Sequence, residues 1–280
     1  MNKLIITAAL SGTAIFKNMA PSVPEQPEEI AEQAVQVVKA GASILHIHVR
    51  DEKGLPTMRA DRFERTVNCI KSALEAEKLD AILNLTSSGS WVLETNEIRL
   101  KALKLLKPEL CSFDSGTFNW HCSSIFVNAP DFLDELSKCV VENNIKPEFE
   151  IFDCGMLNNA LYYIEKHQIP KPCHFQFVLG VQGGMEATTK NLCFLLDMLP
   201  EGSTWSVTGI GKGHIPMMLA GLSLGCTGLR VGLEDNLYYS RGVKATNVQL
   251  VERAVTLAGL AGREIATAEE ARHILSVAKA

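Results

Sequence analysis

Short apolar segments alternate with longer amphipathic segments from one end of this 280-residue chain to the other. The short segments are almost continuously apolar, as expected for parallel strands buried on both faces. Eight are visible, over residues 4–10, 43–49, 81–86, 110–114, 147–152, 174–179, 204–208 and 229–233. A doubly wound sheet would need fewer strands and a topological switch point, and no Pro- or Ser-rich linker divides the chain. The sequence therefore predicts one α/β domain over residues 1–280, folded as a (β/α)8 TIM barrel.

The longer segments carry helix signals. Pro27 is followed by Glu28 and Glu29, and Gly41 closes the segment, which predicts a first helix between them. In the second segment the apolar residues recur four, three and four positions apart, at Phe63, Val67, Ile70 and Leu74. Further helices are predicted over residues 97–107, 130–143, 157–168, 189–198, 215–224 and 247–258, and a capping box at 267–270 begins a last helix.

The charge balance limits the kinds of partner. Lys and Arg number 27 against 32 Asp and Glu, which gives a net charge of −5 and a pI near 5.8. Such a chain has no electrostatic footprint for nucleic acid or for an anionic membrane. We therefore expect small molecules and further copies of the chain as partners. The eight cysteines form no CxxC motif, and a chain of this length needs no disulfides, which favours reduced thiols in the cytoplasm.

The N-terminal segment has two interpretations. Lys3 followed by an apolar run resembles a short signal peptide. The alternative is a buried first strand that enters a loop containing Gly12, and the alternation along the rest of the chain favours it. The longest uncharged stretch elsewhere, residues 215–229, is too short to span a bilayer. We expect a soluble cytoplasmic protein.

Two histidines close the second predicted strand. His46 and His48 stand two positions apart, so their side chains leave the same face of the strand. In a parallel barrel the active site lies at the carboxyl ends of the strands, and inward-facing imidazoles there would form half of a zinc or iron site. The alternative is a pair of buried, hydrogen-bonded histidines. We favour the metal interpretation.

Charged residues close the eighth predicted strand. Glu234 directly follows a buried run, and with His46 and His48 it would complete a metal-binding set that leaves a position open for substrate. Arg230 and Asp235 would form an ion pair able to orient and tune a base. Asp235 and Asn236 could instead cap the next helix.

Other predicted strand ends offer hydroxyls, carboxylates and glycine-rich loops. Each polar residue taken singly is as consistent with a turn or a helix cap as with a ligand contact. They are Thr86, Ser87, Ser88, Asp114, Ser115, Thr117, Glu150 and Asp153. The glycine-rich loops follow strands six and seven, with Gly183 and Gly184 in the first and Gly211 and Lys212 in the second. Barrels often bind phosphate at the second position, although Lys212 could equally be a solvated loop residue.

Taken together, these segments resemble the β-keto acid cleavage enzyme family. The matching stretches are AGASILHIHVRDEKGLPTMRADRF, FDSGTFNW, PEFEIFDCGM, FQFVLGVQGGM, WSVTGIGKGHIP and LRVGLEDN, and ITAALSG also fits. The resemblance implies a transferase that condenses a β-keto acid with acetyl-CoA and cleaves the product to acetoacetate and a new acyl-CoA. It also implies a homo-oligomer, for which a tetramer is one arrangement.

The resemblance assigns roles to particular residues. It implies zinc bound by His46, His48 and Glu234, and a base dyad of Arg230 and Asp235. It also implies substrate contacts from Thr117 and from a hydroxyl on the third strand end, where Thr86 and Ser87 both remain candidates. Glu150 is a further candidate for binding substrate. The loops with Gly183, Gly184, Gly211 and Lys212 are candidates for binding CoA.

The sequence departs from the family pattern at three places. The strand-three motif reads Thr86-Ser87-Ser88-Gly89, Gly228 replaces a usual histidine, and Ala14 stands where a member acting on an amino-substituted substrate has an acidic residue. The distal end of the substrate should meet residues 11–16, which carry no carboxylate and include the apolar Ile15 and Phe16. We therefore expect a neutral or apolar β-keto acid to be preferred, although Glu150, Asp153 or a neighbouring loop could supply the missing charge. Two alternatives to the transferase remain, which are a metal-dependent aldolase or other C–C lyase without CoA, and a barrel that binds ligand without turnover.

Overall fold

A computed structural model describes residues 3–89 and 94–279. Eight parallel strands close into a barrel in which chain neighbours are also spatial neighbours, and the last strand pairs with the first. The strands are β1 (Ile5–Ala9), β2 (Ile44–Ile47), β3 (Ile82–Leu85), β4 (Leu110–Asp114), β5 (Lys146–Ile151), β6 (His174–Leu179), β7 (Thr204–Gly209) and β8 (Gly228–Val231). The predicted (β/α)8 barrel is confirmed, and the predicted strand ends lie within two residues of the observed ones.

A helix follows every barrel strand. The helices are α1 (Pro27–Lys39), α2 (Ala60–Ala76), α3 (Asn96–Leu106), α4 (Pro130–Glu142), α5 (Cys154–His167), α6 (Thr189–Leu196), α7 (His214–Ser223), α8 (Asn247–Leu260) and α9 (Ala268–Leu275). Pro27 is the first residue of α1, and the predicted capping box begins α9, where the Thr267 hydroxyl accepts a hydrogen bond from the Glu270 amide. The N-terminal apolar segment forms the buried β1.

Two apolar layers fix which side chains face the barrel interior. On β4, Cys111 and Phe113 belong to the main core between strands and helices, whereas Leu110 belongs to a small cluster inside the barrel. That cluster includes Ala271 and Leu275 of α9, which closes the amino-terminal end. Side chains alternate between the two faces of a strand, so the later inward-facing residues of each strand lie closer to its carboxyl end. Barrel enzymes place their active sites at that end.

Three short hairpins that the sequence pattern did not predict lie at the carboxyl end of the barrel. They pair Val49–Arg50 with Pro56–Thr57, Phe118–Trp120 with Ser124–Phe126, and Tyr238–Ser240 with Val243–Lys244. The last two are called here the 118–126 hairpin and the 238–244 hairpin. Among residues 3–89 and 94–279, no helix has the length and apolar character needed to cross a membrane.

Candidate active site

A cavity of about 920 Å³ opens at the carboxyl end of the barrel. Its floor contains His46, His48, Arg230, Glu234 and Asp235, all from β2, β8 and the residues that directly follow them. β1 lies between these two strands, which brings the two predicted halves of the metal site together.

The three predicted metal ligands form a compact cluster. Nε2 of His46 lies 3.5 Å and Nε2 of His48 3.3 Å from the same oxygen, Oε1 of Glu234. His46 is held in register between Ala9 of β1 and Asn84 of β3, while His48 lies just beyond the end of β2. The two rings meet edge to face with centroids 5.1 Å apart. Both imidazoles therefore face the cavity, as their spacing predicted.

The chemistry of this cluster fits a divalent metal. Burial alone would raise the pKa of Glu234, but His48, His46 and Arg230 outweigh it and hold that pKa well below its usual range. Burial disfavours a protonated His46, yet the neighbouring Glu234 carboxylate leaves its pKa raised. Nδ1 of His46 and Oε2 of Glu234 have no hydrogen-bond partner among the described residues. Two imidazoles and an ionised carboxylate are the donor set of catalytic zinc sites that keep an open position.

His46 also belongs to a second, deeper cluster with Glu148 and Glu150. Those carboxylates already have partners, because Glu150 accepts a hydrogen bond from Arg230 at 2.8 Å and Glu148 accepts one from Asn84 at 2.7 Å. The cluster with His48 and Glu234 is therefore the better candidate metal site.

Arg230 connects the carboxylates on the cavity floor. Its guanidinium donates two hydrogen bonds to Asp235, at 2.9 and 3.0 Å, and one each to Glu150 and Glu234, at 2.8 and 2.6 Å. A buried cation with three anionic partners has a pKa well above its usual value, although burial opposes this. The predicted Arg230–Asp235 ion pair is present with the bidentate geometry that fixes a carboxylate in one orientation.

Asp235 and Asn236 do not cap the following helix, which begins at Asn247. Burial raises the pKa of Asp235, the Arg230 guanidinium opposes this, and Glu234 and Glu150 raise it further, so the net shift is upward. Asn236 donates to the Gly209 carbonyl at 3.0 Å and accepts from the Gly211 amide at 2.7 Å. Asn236 thereby ties the loop after β8 to the loop after β7.

The other predicted site residues differ in whether they line the cavity. Thr86, Glu150, Gly211 and Lys212 line the cavity. Ser88 also lines it, whereas the buried Ser87 does not. Thr117 is exposed outside the cavity lining, and its hydroxyl accepts a hydrogen bond from the Asn128 amide at 2.8 Å.

Gly183 and Gly184 pack against protein instead of lining the cavity. Gly183 has a φ of +102°, and a Cβ at this position would stand 1.7 Å from the carbonyl oxygen of Asn119 in the 118–126 hairpin. This close approach explains why glycine is needed. The neighbouring Val181 does line the cavity, so the loop after β6 lies at the predicted end of the barrel.

One wall of the cavity is apolar, and the sequence pattern did not predict it. Trp120 and Phe126 come from the 118–126 hairpin, and Phe152 follows β5. The rings pack against one another, with centroids 5.4 Å apart for Trp120–Phe126 and 6.1 Å for Phe126–Phe152. The signal in the sequence was three aromatic residues in FNWHCSSIF, but nothing there showed that the segment folds back over the barrel mouth.

Asp114, at the end of β4, is a further polar residue of the cavity wall. It is buried beside Glu150 in the strand register, and its Oδ2 has no hydrogen-bond partner among the described residues. Burial, and then the Glu150 charge, raise the pKa of Asp114 well above its usual value. Asp114 therefore adds to the cavity wall a carboxyl group whose ionisation is disfavoured by burial and by Glu150.

A polar layer lies beneath the cavity floor. The imidazole of His174 on β6 contacts the hydroxyls of Thr204 and Ser206, at 2.9 and 3.1 Å, and lies 3.7 Å from Glu148. Burial, and then Lys146, lower the pKa of His174 to about 3. Burial and the charge of Glu150 raise the pKa of Glu148 to about 7. This layer thus holds a neutral imidazole next to a carboxyl that titrates near neutrality.

We expect His174 to make the protein sensitive to acid. Its folded-state pKa is depressed, so the unfolded chain takes up a proton first, and stability falls as the pH drops below about 6.5 toward 3. At pH 5 the loss is about 2 kcal/mol. Glu148 acts in the opposite direction, because its raised pKa adds stability as the pH falls below 7.

Comparison of variants separates the two contributions. The free energy of unfolding, measured with denaturant at pH 7 and at pH 5, should respond differently in His174→Gln. On going from pH 7 to pH 5 it should fall by about 2 kcal/mol less in the variant than in the unaltered protein. His273→Gln, which removes an exposed imidazole, controls for the substitution itself. Identical pH dependence in His174→Gln and the unaltered protein would show that His174 is not held neutral.

The sequence and fold of this chain are similar to those of known proteins. The model of the beta-keto acid cleavage enzyme family matches residues 3–277. A 3-keto-5-aminohexanoate cleavage enzyme from Fusobacterium nucleatum is 43% identical over 280 residues and covers all of both chains. A 3-dehydrocarnitine:acetyl-CoA trimethylamine transferase from Rhizobium meliloti is 32% identical, covering 100% of this chain and 98% of the relative.

A solved structure of ObcA, in a ternary complex with a C4-CoA adduct and oxalate, matches with a TM-score of 0.79. The identity is 22%, and the match covers 91% of this chain and 68% of that one, so the likeness concerns the fold. Fold and cavity define a (β/α)8-barrel enzyme with its candidate site at the carboxyl end. The chain belongs to the β-keto acid cleavage enzyme family. The predicted resemblance is confirmed, and so, at the level of the family, is the prediction of an acyltransferase.

Proposed function

We propose that the protein is a zinc-dependent β-keto acid cleavage enzyme. It condenses a β-keto acid with acetyl-CoA and cleaves the adduct to acetoacetate and a new acyl-CoA. The observation that carries this proposal is the cluster of His46, His48 and Glu234 beside the Arg230–Asp235 pair, on the floor of a single cavity. The same cavity holds a metal-ligand set and a candidate base, as this reaction requires.

His46, His48 and Glu234 would hold the metal. When bound, zinc supplies Lewis-acid stabilisation of the negative charge that develops on the substrate oxygens. The role of Arg230 is to fix the surrounding carboxylates, because it contacts Glu234 and Asp235 simultaneously. A fixed array of this kind needs no reorganisation as charge develops.

Asp235 would remove the proton from the substrate carbon between the carboxylate and the keto group. Two hydrogen bonds from Arg230 hold this carboxylate in one orientation, and Oδ2 also faces the Thr208 hydroxyl at 3.5 Å. A base held in this way is oriented by its neighbour and can still accept a proton. Glu150 would also contact substrate. It accepts a hydrogen bond from Arg230, so Glu150, Asp235 and Glu234 together balance the charge of that guanidinium.

Among the hydroxyls, position favours Thr86 for binding substrate. Thr86 lines the cavity, whereas the proposed roles of Ser87 and Thr117 would require their side chains or backbone to move. No cysteine lines the cavity among the described residues, which supports direct transfer between the two substrates without a thiol intermediate.

For CoA, Lys212 is the stronger of the predicted contacts. In the loop after β7 the amides of Gly211, Gly213 and His214 already donate to Asn236, Ile210 and Gly211 respectively. Side chains, more than free backbone amides, are therefore available there to bind the co-substrate. Gly183 and Gly184 would contribute by shaping the neighbouring loop that places Val181 in the cavity wall.

We also propose a cytoplasmic homo-oligomer, with a tetramer as one arrangement, in which residues 1–280 form one domain. Among the described residues all cysteines are free thiols. Exposed apolar side chains on the helices outside the barrel support contact between copies; they are Phe194, Leu219 and Leu260.

Product analysis tests the proposed reaction. With acetyl-CoA labelled with ¹³C in its acetyl group and an unlabelled β-keto acid, we expect the label in the methyl and keto carbons of acetoacetate and none in the new acyl-CoA. This follows because the deprotonated carbon of the keto acid attacks the acetyl thioester, and CoA then takes the original acyl group.

Other outcomes point to other functions. Cleavage of the β-keto acid without acetyl-CoA would indicate the aldolase or C–C lyase alternative. Thermal stabilisation by ligand, with no product at any enzyme concentration, would indicate a binding protein. Either result would contradict the proposed transferase.

A further inference from the structure

Three cationic side chains outside the barrel strands line the cavity, and they are called here the cationic rim. Lys212 in the loop after β7, Arg241 in the 238–244 hairpin and Arg253 in α8 all line the same cavity as His46 and Glu234. The four acidic residues of the lining, Asp114, Glu150, Glu234 and Asp235, lie instead in or directly after the barrel strands.

These cations form no ion pair with a carboxylate among the described residues. Other basic side chains do so, among them Lys3, Lys39, Lys166 and Arg272. Arg253 donates to the Tyr239 carbonyl and its guanidinium lies 3.7 Å from the centroid of the Tyr239 ring. This contact holds Arg253 beside the hairpin without neutralising its charge. Lys212 and Arg241 are exposed and free to contact a ligand.

A buried polar group points to the same ligand position. His214 is 4% exposed and lines the cavity at the start of α7, and its Nε2 has no hydrogen-bond partner among the described residues. Burial, and then Arg253, lower the pKa of His214 to about 4, so its imidazole is neutral. A neutral imidazole left unpaired in a protein interior costs free energy unless a ligand satisfies it.

Apolar side chains from the loops after β6, β7 and β8 and from α7 line the same cavity. They include Val181, Ile210, Ile215, Pro216 and Leu237. A ligand that spans this cavity would place an anionic group among the cations at the rim, an apolar or amide-bearing chain along this wall, and its reacting end near His46 and His48. That order of chemical groups is the order in a CoA thioester.

We propose that Lys212, Arg241 and Arg253 bind the phosphate groups of the CoA thioester, with His214 as a neutral hydrogen-bonding partner beneath them. This inference rests on the proposed function, which supplies the thioester as co-substrate. It assigns the 238–244 hairpin and α8 to co-substrate recognition. Arginine and lysine are the side chains suited to phosphate, and arginine can bind it through two hydrogen bonds.

The test compares thioesters with and without phosphate. In the double variant Lys212→Gln/Arg241→Gln we expect the KM for acetyl-CoA to rise about tenfold, since each cation–phosphate contact is charge-assisted but partly exposed. The KM for S-acetyl-pantetheine, which lacks the phosphates, should not change, and kcat should stay within about twofold. Lys244→Gln is a matched control, because Lys244 carries a charge in the same hairpin but lies outside the cavity lining.

Calorimetric binding of free CoA separates this inference from the proposed reaction. If the unaltered protein binds CoA more tightly than pantetheine and the double variant loses that difference, the rim binds phosphate even when no substrate turns over. Dephospho-CoA then shows whether the 3′-phosphate or the diphosphate is bound, and either assignment supports the proposal. Equal losses for acetyl-CoA and S-acetyl-pantetheine, an equal loss in Lys244→Gln, or unchanged CoA binding in the double variant would overturn it.

Discussion

Replacing His46 by Ala is expected to abolish turnover and to lower the metal content from about one zinc per chain, while the barrel remains folded. His46 Nε2 and His48 Nε2 converge on one carboxylate oxygen, so the loss of either imidazole removes a third of the donor set. Loss of a group that merely orients a ligand costs about 10–100-fold in metal affinity, and loss of the ligand itself should cost more. We expect the rate to fall by more than about a thousandfold.

Metal analysis and kinetics of the same preparations provide the check. His121→Ala is a matched control for metal content, because His121 is another imidazole on the cavity wall but lies in the 118–126 hairpin, away from the cluster. Circular dichroism should show a folded barrel in each variant. Full zinc occupancy in the double variant His46→Ala/His48→Ala would remove the basis of the assignment.

Asp235→Asn should separate base catalysis from metal binding. The amide keeps the shape of the carboxylate but cannot take a proton, so turnover should be lost with zinc retained. Arg230→Ala is less informative, because it would leave Glu150, Glu234 and Asp235 buried without their shared cation. Removing one partner of a buried ion pair typically costs about 3–5 kcal/mol in stability.

The barrel could be predicted from sequence because its signal is repeated. Each strand is an apolar run buried on both faces, and each run is followed by a segment with helical periodicity. The hairpins could not be predicted in the same way. Residues 238–240 and 243–244 are exposed, so burial imposes no alternating pattern on them. Their position over the cavity depends on tertiary contacts such as Arg253 with Tyr239.

The floor of the site was more predictable than its walls. His46, His48, Arg230 and Glu234 are polar residues in or just after buried strands, which is itself a signal of function. Thr117 had no such signal, since a hydroxyl that follows a strand serves a loop amide equally well. The roles proposed for individual residues remain predictions for mutagenesis.

Substrate preference should follow the chemistry of the distal cavity wall. The loop after β1 contributes Thr13, Ala14, Ile15 and Met19 to the lining, and none of them is acidic. Phe16, which was predicted to belong to this wall, instead lies beneath Arg50, whose guanidinium carbon is 4.5 Å from the centroid of the Phe16 ring. Trp120, Phe126 and Phe152 extend the apolar lining.

The carboxylates that could supply a missing negative charge have other roles. Glu150 is paired with Arg230, and Asp153 accepts a hydrogen bond from the Met156 amide at the start of α5. Asp114 lines the cavity, but burial and the charge of Glu150 raise its pKa, which disfavours the anionic form that would pair with an ammonium group. Aromatic rings attract an ammonium group by about 0.5–2 kcal/mol. That gain is smaller than the several kcal/mol that an unpaired, desolvated cation costs.

We therefore expect neutral or apolar β-keto acids to exceed 3-keto-5-aminohexanoate in kcat/KM, by roughly a thousandfold if the full desolvation cost is felt. The 43% identical relative is named for 3-keto-5-aminohexanoate, so that compound is the one to compare with a neutral β-keto acid. Ala14→Glu should shift the preference toward the amino substrate, and Ala14→Gln controls for size without charge. A preference of the unaltered protein for the amino substrate would contradict this prediction, and loss of that preference in Asp114→Asn would then identify Asp114 as the group that binds the ammonium.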